Sequence, residues 1–258
     1  MIYPKNIEEK LGFDKIRQLL KEECISTLGQ NHVDEIQFSD DYERIERLTS
    51  QTNEFCDILQ QSEQFPQQNY IDVSRHLVKA MPQDAFLDEA EFFDLKLSLN
   101  TIYQCLLFFE NRPPQAYPCL RELSQNVTFN PDLISKIELV VNERGKMRDD
   151  ASFQLRSIRG RIISEQTLLR KRLDQILRES KRLGYVKEDA ELTVRDGRLV
   201  IPIAAEHKRK IRGVVHDESA TGLTVFMEPA EIIDLNNTIR ELIYEERREM
   251  MRILIRLT

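Results

Sequence analysis

The chain has 258 residues, of which 41% are apolar and 31% are charged, and its formal net charge is −7. This length can bury a large core, and it suits one or two domains. No apolar run approaches the roughly 20 residues that a membrane span needs, and the N-terminus shows no apolar signal segment. We therefore expect a cytoplasmic protein with highly charged helical faces and no membrane partner.

Charge is unevenly spread along the chain. Residues 1–143 carry 13 basic and 25 acidic side chains, whereas residues 144–182 carry 12 basic and 5 acidic ones. A polyanion is repelled by the first region and attracted to the second. This asymmetry favours a nucleic-acid partner for the middle of the chain.

The cysteines never form a close Cys-x-x-Cys pair. All of them lie within or beside apolar helical patterns, at Cys24, Cys56, Cys105 and Cys119. A disulfide or a zinc site requires clustered ligands. We therefore expect reduced, buried thiols.

Residues 1–144 are predicted to form a helical domain. Apolar side chains recur at helical spacing in two stretches, namely Ile7, Leu11, Ile16, Leu19 and Leu20, and then Ile45, Leu48, Thr52, Phe55 and Leu59. A recurrence of this kind is typical of amphipathic helices. Packing these faces together in a bundle is the simplest way to bury them.

Residues 145–184 are predicted to form one long outgoing helix. Most of its apolar seam recurs every seven residues, and its members are Leu155, Ile158, Ile162, Leu169, Leu173, Ile176 and Leu183. This period is typical of a helix that lies along a long partner, and residues 146–183 would extend about 55–60 Å. We expect the helix to project from the body, Gly160 to weaken it, and Gly184 to end it with a left-handed cap.

Residues 185–229 are predicted to form a small β element. Asp196 and Gly197 stand between two β-branched runs in "VRDGRLVIPI", which is a strong hairpin signal. Pro202 cannot donate a ladder hydrogen bond, so its strand is predicted to be an edge or to turn that position outward. A second pair of strands is predicted on either side of residues 218–222.

Residues 230–258 are predicted to form a returning helix, antiparallel to the first and beginning after Pro229. Its apolar stripe consists of Ile232, Leu235, Ile239, Leu242, Ile243, Met250, Leu254 and Leu257. A stripe of this kind marks the face that packs against a partner. Since the stripe reaches Thr258 without a cap, we expect the helix to be truncated and the chain to be part of a longer protein.

Several stretches resemble the second bacterial MutS family, here called MutS-two, the paralogue that lacks the mismatch-recognition domain. The most specific stretches are "RDGRLVIPI", "KIRGVVHDESATGLTVFMEP" and "DLNNTIREL", and "LGFDKIRQLL" and "ASFQLRSIRGRI" stand in the expected order before them. The resemblance implies a mostly α fold, in which a helical bundle continues into a long antiparallel helix pair that carries a small antiparallel β clamp. It divides the chain into a core and lever domain, an outgoing lever helix, a clamp and a returning lever helix, at 1–144, 145–184, 185–229 and 230–258.

The resemblance also implies a function for the parent protein. MutS-two proteins are associated with suppression of homologous recombination, with nicking by a C-terminal Smr domain, and with splitting of collided ribosomes. The parent is expected to be a homodimer that uses ATP and Mg. This chain has no GxxxxGK[ST] phosphate loop, so the backbone cradle for ATP phosphates is missing. With the Smr domain also absent, we expect this segment to hold no cofactor and to be no enzyme.

The candidate nucleic-acid contacts are basic side chains in and near the predicted clamp. They lie in the loop "EHKRKIR", on the first hairpin and on the outgoing helix, and they comprise Lys208, Arg209, Lys210 and Arg212, then Arg195 and Arg198, then Arg170, Lys171, Arg172, Arg178, Lys181 and Arg182. Flexible cations neutralise phosphates without reading sequence. For the helix, the alternative is that some of these cations pair with Glu241, Glu245 and similar residues on the returning helix. For the loop, the alternative is a solvated turn.

Three roles remain open from the sequence. The clamp binds duplex or branched DNA, or it docks on rRNA and ribosomal proteins, or it is a purely structural arm. His207 and His216 are expected to have structural or surface roles, because no third ligand or nucleophile accompanies them.

Overall fold

A computed structural model describes residues 7–61 and 64–258. Within them the chain forms ten α-helices and four strands: α1 (Ile7–Leu11), α2 (Phe13–Glu23), α3 (Thr27–Glu35), α4 (Tyr42–Gln60), α5 (Ser74–Ala80), α6 (Glu89–Glu110), α7 (Pro118–Gln125), α8 (Asp132–Val140), α9 (Phe153–Arg182), β1 (Thr193–Arg195), β2 (Arg198–Ala204), β3 (Gly213–Glu218), β4 (Thr224–Pro229) and α10 (Ile233–Leu257). The predicted fold class, a mostly helical chain with an inserted antiparallel sheet, is confirmed.

The chain divides into two compact units. The first unit contains residues 7–148 and Leu254–Thr258, and the second contains Asp149–Ile253. The four-part division into core, outgoing helix, clamp and returning helix stays a prediction.

The first unit has an aromatic core between α4 and α6. Phe108 and Phe109 of α6 pack with Ile58 of α4, and Phe65 lies against them. The rings of Phe65 and Phe108 meet edge to face with centroids 5.0 Å apart, an arrangement that aromatic pairs prefer. α6 begins with a capping box in which Asp88 and Glu91 each accept from the other's backbone N–H, which satisfies N–H groups that have no partner within the helix.

The apolar faces predicted for α2 and α4 do not pack together. Ile16, Leu19, Ile45 and Leu48 are all 45–62% exposed. α2 meets α3 through a polar side chain. Arg17 donates to the Val33 carbonyl at the end of α3. The expectation that these side chains are buried between the helices is therefore wrong, although the helical fold class is confirmed.

α4 shows how a polar side chain determines which face is buried. The Glu54 carboxylate accepts from the backbone N–H groups of Cys119 and Leu120 at 3.0 and 2.8 Å. A carboxylate here caps the first turn of α7 and is favoured by its dipole. Ile58, one helical turn further on and so on the same face, lies in the core. Cys56 lies about 200° around the helix from Ile58 and is exposed.

All four cysteines are free thiols, and none of them is fully buried. Cys56 is exposed, and the other three are partly exposed. The prediction that the thiols are buried is therefore wrong. Apolar neighbours in sequence indicated burial, but the rotation of each helix about its axis depends on longer-range contacts.

The second unit contains the predicted antiparallel helix pair. Ile158 and Ile162 of α9 pack with Leu242 of α10. Nearer the start of α9, Arg159 Nε donates to Glu246 at 2.7 Å, and Ser152 Oγ, just before the helix, donates to Glu249 at 2.7 Å. Because residue numbers rise on α9 as they fall on α10, the two helices run in opposite directions.

α9 is shorter than expected. It begins at Phe153, and its 30 residues extend about 45 Å. Residues before it are used elsewhere, since Met147 forms a β-bridge with Val141. Leu183, a member of the predicted apolar seam, lies just past the last helical residue and is 51% exposed. Leu177, which is outside the predicted seam, is buried.

The predicted left-handed cap of α9 is confirmed. Gly184 has φ +74°, a value at which most side chains are strained. The Gly184 N–H donates to the Lys181 carbonyl at 3.0 Å, and the Tyr185 N–H donates to the Ser180 carbonyl at 2.9 Å. These two bonds form a Schellman motif, which ends the helix and sets the direction of the chain into the β element.

The four strands form one antiparallel sheet in the order β1-β2-β4-β3. Asp196 and Gly197, with φ +49° and +74°, form the predicted turn between β1 and β2. β2 is an interior strand, so the edge alternative for Pro202 is wrong. The N–H of Ala204 points away from β4 to the Tyr185 carbonyl, and the nitrogen of Pro202 faces the same side. β1 pairs only as far as Val200, so Pro202 lies past its end.

One face of the sheet packs against both long helices. Ile201, Ile203, Val225 and Met227 are at most 2% exposed. They share a cluster with Leu169, Leu173 and Leu177 of α9 and Ile239 of α10. Each such side chain contributes roughly 1.5–3 kcal/mol on burial, so this contact is a major source of stability in the second unit.

We predict opposite effects for alanine at two glycines. Gly160 lies inside α9, and an added Cβ meets nothing within 4 Å, so Gly160→Ala should stabilise the chain by about 0.5–1 kcal/mol. At Gly213 a Cβ overlaps the Glu228 carbonyl oxygen, so Gly213→Ala should destabilise it. Urea unfolding followed by circular dichroism measures both. A lower midpoint for Gly160→Ala would contradict the assignment.

Glu249 should make stability depend on acid. Its pKa is lowered, first by the hydrogen bond with Arg252 and also by the one donated by Ser152. A carboxylate with a lowered pKa in the folded state stabilises above its ordinary value of 4.5, and that contribution is lost as pH falls through the lower folded value. Glu249→Gln should therefore lower the urea midpoint at pH 7, and the gap from the unsubstituted chain should shrink at about pH 3. An equal gap at both values would contradict this.

Candidate nucleic-acid interface

The basic loop, residues 206–212, connects β2 to β3, and its backbone is held at several points. Just before it, the Ala205 N–H donates to the Leu223 carbonyl at 3.0 Å. Within it, the Lys210 N–H donates to the His207 carbonyl at 2.9 Å, and its last carbonyl, on Arg212, accepts from the Ala230 N–H at 2.9 Å. The ring of His207 lies 5.2 Å from that of Tyr185. The loop is thus an ordered platform for its side chains.

The four cations of the basic loop are available to a ligand. Lys208, Arg209, Lys210 and Arg212 are all exposed. Among residues 7–61 and 64–258, none of them forms an ion pair. The nearest pair in the loop joins His207 to Glu206 at 3.6 Å. Unpaired, solvated cations of this kind can neutralise phosphates.

The α9 cations, defined as Arg170, Lys171, Arg172, Arg178, Lys181 and Arg182, differ in their partners. Lys181 donates to the Glu188 carbonyl at 2.6 Å, and Arg182 lies 3.6 Å from Glu179. The other four are exposed and, in the part of the chain that the structure describes, make no ion pair. Within that part none of the six pairs with Glu241 or Glu245, and the bridge between the helices is Arg159–Glu246 at 2.7 Å.

A groove of about 550 Å³ brings the two predicted sets of cations together. Arg172 lines it from α9, and Lys210 and Arg212 line it from the basic loop. Its other residues are Gln175, Ile176, Glu179, Ser180, Leu183, Tyr185, Ile211, Pro229, Ala230 and Glu231. The groove therefore combines cations, two carboxylates, apolar side chains and one aromatic ring.

Arg195, on the β1–β2 hairpin, already contacts two side chains of the protein. Its Nε lies 2.9 Å from the Asp217 carboxylate, and its guanidinium lies 4.0 Å from the centroid of the Phe226 ring. Such an arrangement holds the side chain flat against the sheet. A phosphate would compete with Asp217 for it.

Arg198 is turned into the protein. It donates to the Glu228 carboxylate at 2.6 Å and to Asn237 Oδ1 at 2.8 Å. Glu228, whose side chain is 2% exposed, also lies 2.6 Å from His216 Nε2 and accepts from Asn236 at 2.7 Å. We call these five residues the Glu228 network. It serves the fold, because a buried carboxylate needs partners.

Sequence reasoning missed the Glu228 network. Glu228 stands at the end of an alternating strand pattern, where an exposed side chain is the ordinary expectation. Its partners lie 8 to 30 positions away, so no local spacing links them. His216 has the structural role expected for it, as the extra residue of a β-bulge between Val215 and Asp217.

No protein-family model matches the chain. Endonuclease MutS2 of Alkaliphilus oremlandii is 31% identical over 246 residues, which is 95% of this chain and 31% of that protein. Endonuclease MutS2 of Pelotomaculum thermopropionicum is 32% identical over 254 residues, 98% of this chain and 32% of that protein. That of Symbiobacterium thermophilum is 31% identical over 248 residues. The chain belongs to the MutS-two family.

The match confirms the resemblance seen in the sequence motifs. This MutS-two chain spans about a third, 31–32%, of the length of these curated relatives. The activities in the relatives' names therefore belong to proteins about three times as long.

The first unit of the MutS-two chain has its own groove, which is apolar. It has a volume of about 360 Å³ and lies between α4, α6 and α7, where Phe55, Ile102 and Leu120 are among its lining residues. Its titratable groups are Tyr70 and Cys105, and burial raises the pKa of both. Neutral groups of this kind offer no charge to a polyanion.

In residues 7–61 and 64–258, no group of three or more His, Cys, Asp or Glu side chains is arranged to hold a metal ion. No helix in that part of the chain combines the length and apolar character that crossing a membrane requires.

We predict that Arg198 stabilises the folded chain. Arg198→Ala leaves Glu228 buried without its arginine partner and should destabilise the chain by about 3 kcal/mol. Arg209→Ala, an exposed arginine in the same unit, is the matched control and should change stability by less than about 0.5 kcal/mol. Urea unfolding measures both.

A double substitution tests the same network. Adding Glu228→Gln to Arg198→Ala removes the buried charge that Arg198 no longer neutralises, so the pair should cost less than the sum of the two single changes. An Arg198→Ala midpoint equal to that of Arg209→Ala would argue against the network.

Proposed function

We propose that this region is the lever and clamp of a MutS-two protein and that it binds nucleic acid without reading sequence. The observation that carries the proposal is the set of unpaired, exposed cations in the basic loop, next to Arg172 of α9 in one groove. The contact residues in this proposal are the basic loop and α9 cations, with Arg195 as a minor contact. Arg198 is left out, because the Glu228 network holds it.

The charge and flexibility of the loop side chains both favour contact with the nucleic-acid backbone over recognition of bases. The four loop cations have long side chains that no described carboxylate fixes in place. Sequence is read by side chains held in a definite geometry against base edges. Phosphates are neutralised by any cation that can approach them, and each contact releases counterions. Duplex or branched DNA is therefore the proposed ligand.

The parent's chemistry is proposed to lie in other parts of the longer protein. The relatives are named endonucleases, and the MutS-two resemblance adds ATP with Mg, homodimerisation and suppression of recombination. In this scheme the present region grips the nucleic acid and the remaining domains turn over ATP and cleave. This chain alone is then a binding module and not an enzyme.

Salt dependence tests the proposal. If four to six phosphates are neutralised, log affinity for a fluorescent 30-base-pair duplex should fall against log salt with a slope of about −4 to −5. Changing Lys208, Arg209 and Lys210 to Ala should make the slope shallower by about 2.7 and weaken binding roughly 100-fold near 0.1 M salt. Fluorescence anisotropy between 50 and 200 mM salt gives both quantities.

The matched control removes the same charge elsewhere. Lys15, Arg44 and Lys136 are exposed cations of the first unit, and changing all three to Ala should leave the slope unchanged. Unchanged binding by the loop variant, or an equal loss in both variants, would reject the basic loop as the grip.

The ribosome is the other proposed ligand, since rRNA carries the same phosphates. Binding to the ribosome and binding to DNA are distinguished by a direct comparison in one buffer. Co-sedimentation with stalled ribosomes, together with no anisotropy change on duplex or branched DNA, would replace DNA by the ribosome as the ligand.

A further inference from the structure

We infer that the groove between α9 and the basic loop holds one unpaired nucleotide, with its phosphate near Arg172, Lys210 and Arg212 and its base against Tyr185. The inference rests on the proposed function and deepens it, because it names which part of a nucleic acid enters the protein. A duplex contacts the exposed cations from outside, whereas only an unstacked nucleotide can enter the groove.

The size of the groove suits a small ligand. Its volume of about 550 Å³ falls within the range of roughly 300–1,000 Å³ that is typical of small-molecule sites. A base within a duplex is stacked between its neighbours and cannot enter such a site without leaving the stack. A nucleotide that is already unpaired enters at little cost.

Three cations line the groove and can together contact one phosphate. Arg172 belongs to α9, and Lys210 and Arg212 belong to the basic loop, so the cations reach the groove from two elements. Phosphates are bound well by Arg and Lys in combination, since Arg forms paired hydrogen bonds and Lys acts as a point charge. Convergence of this kind distinguishes the groove from the cations scattered along the exposed face of α9.

The rest of the lining is suited to a base rather than to a second phosphate. Ile176, Leu183 and Ile211 are apolar, and Tyr185 supplies an aromatic ring. Unpaired bases stack on aromatic side chains, and such a contact contributes roughly 1–3 kcal/mol. A free inorganic anion would make no use of these side chains.

Two carboxylates in the groove fit the same ligand. Glu179 and Glu231 line it together with the cations. They repel further phosphates, which limits the groove to one. Carboxylates also accept hydrogen bonds from the exocyclic amino groups of bases. The mixed charge therefore favours a nucleotide over a run of backbone.

Tyr185 is held in position before any ligand arrives. Its N–H donates to the Ser180 carbonyl in the α9 cap, and its carbonyl accepts from the Ala204 N–H of β2. Its ring packs at the edge of the core that the sheet shares with α9. A fixed ring loses little entropy when a base stacks on it.

The test compares two probes on the full 258-residue chain. One is a 30-base-pair duplex with three unpaired nucleotides at its centre, of which the middle one is 2-aminopurine. The other is the same duplex fully paired. We expect tighter binding of the first probe and quenching of 2-aminopurine fluorescence. Tyr185→Leu keeps apolar packing without an aromatic ring, so it should lower the ratio of the two affinities by about tenfold, and Tyr185→Phe should retain it.

Tyr244→Leu is the control, since Tyr244 is 48% exposed on α10 and does not line the groove. It should leave the ratio and the quenching unchanged. Urea midpoints of all three variants show whether they fold. If Tyr185→Leu folds and its ratio equals that of the unsubstituted chain, the inference is overturned. If the loop variant still loses salt-dependent binding, that result leaves the proposed function standing. Absence of binding to both probes by the unsubstituted chain overturns the inference and rejects DNA as the ligand in the proposed function.

Discussion

The contact between the sheet and α9 determines where the candidate cations lie. Ile201, Ile203 and Met227 from the sheet are buried against Leu173 and Leu177 of the helix. This apolar contact has no direction of its own, but close packing allows few arrangements of the two surfaces. Once the surfaces are packed, the neighbouring positions on each element are fixed as well.

Arg172 illustrates the consequence. It immediately precedes Leu173, so its side chain emerges about 100° around the helix from the buried stripe. That direction faces the groove which Lys210 and Arg212 line from the loop. A cation on the helix and two cations in a loop some forty positions later thus share a site because of an apolar contact that none of them makes.

Local chemistry explains what could be predicted from the sequence. The turn at Asp196 and Gly197 and the cap at Gly184 depend on positive φ angles, which few residue types adopt. The long helices follow from apolar periodicity that matches a single partner surface. These features are specified within a few residues, so no knowledge of the remaining chain was needed to find them.

The features that could not be predicted depend on partners distant in sequence. α4 turns Glu54 toward α7 because that carboxylate caps a helix which begins 64 positions later. Arg198 and Lys208 are both cations near a predicted turn, yet one is enclosed by Glu228 and Asn237 and the other is exposed. Both residues are basic, and only the packing of the sheet on α10 makes their surroundings different.

One physical rule explains why Arg198 and the loop cations have different surroundings in the second unit. A guanidinium with two fixed acceptors, as Arg198 has, is oriented and desolvated, and losing a partner then costs much more than the pair contributes in net stability. The loop cations have a fixed backbone and unfixed side chains, a combination that supplies charge at a defined place without a defined hydrogen-bond geometry. Charge at a defined place gives affinity for a polyanion, and an undefined geometry gives no preference among bases. This combination is what the proposed function, binding without sequence specificity, requires of the loop.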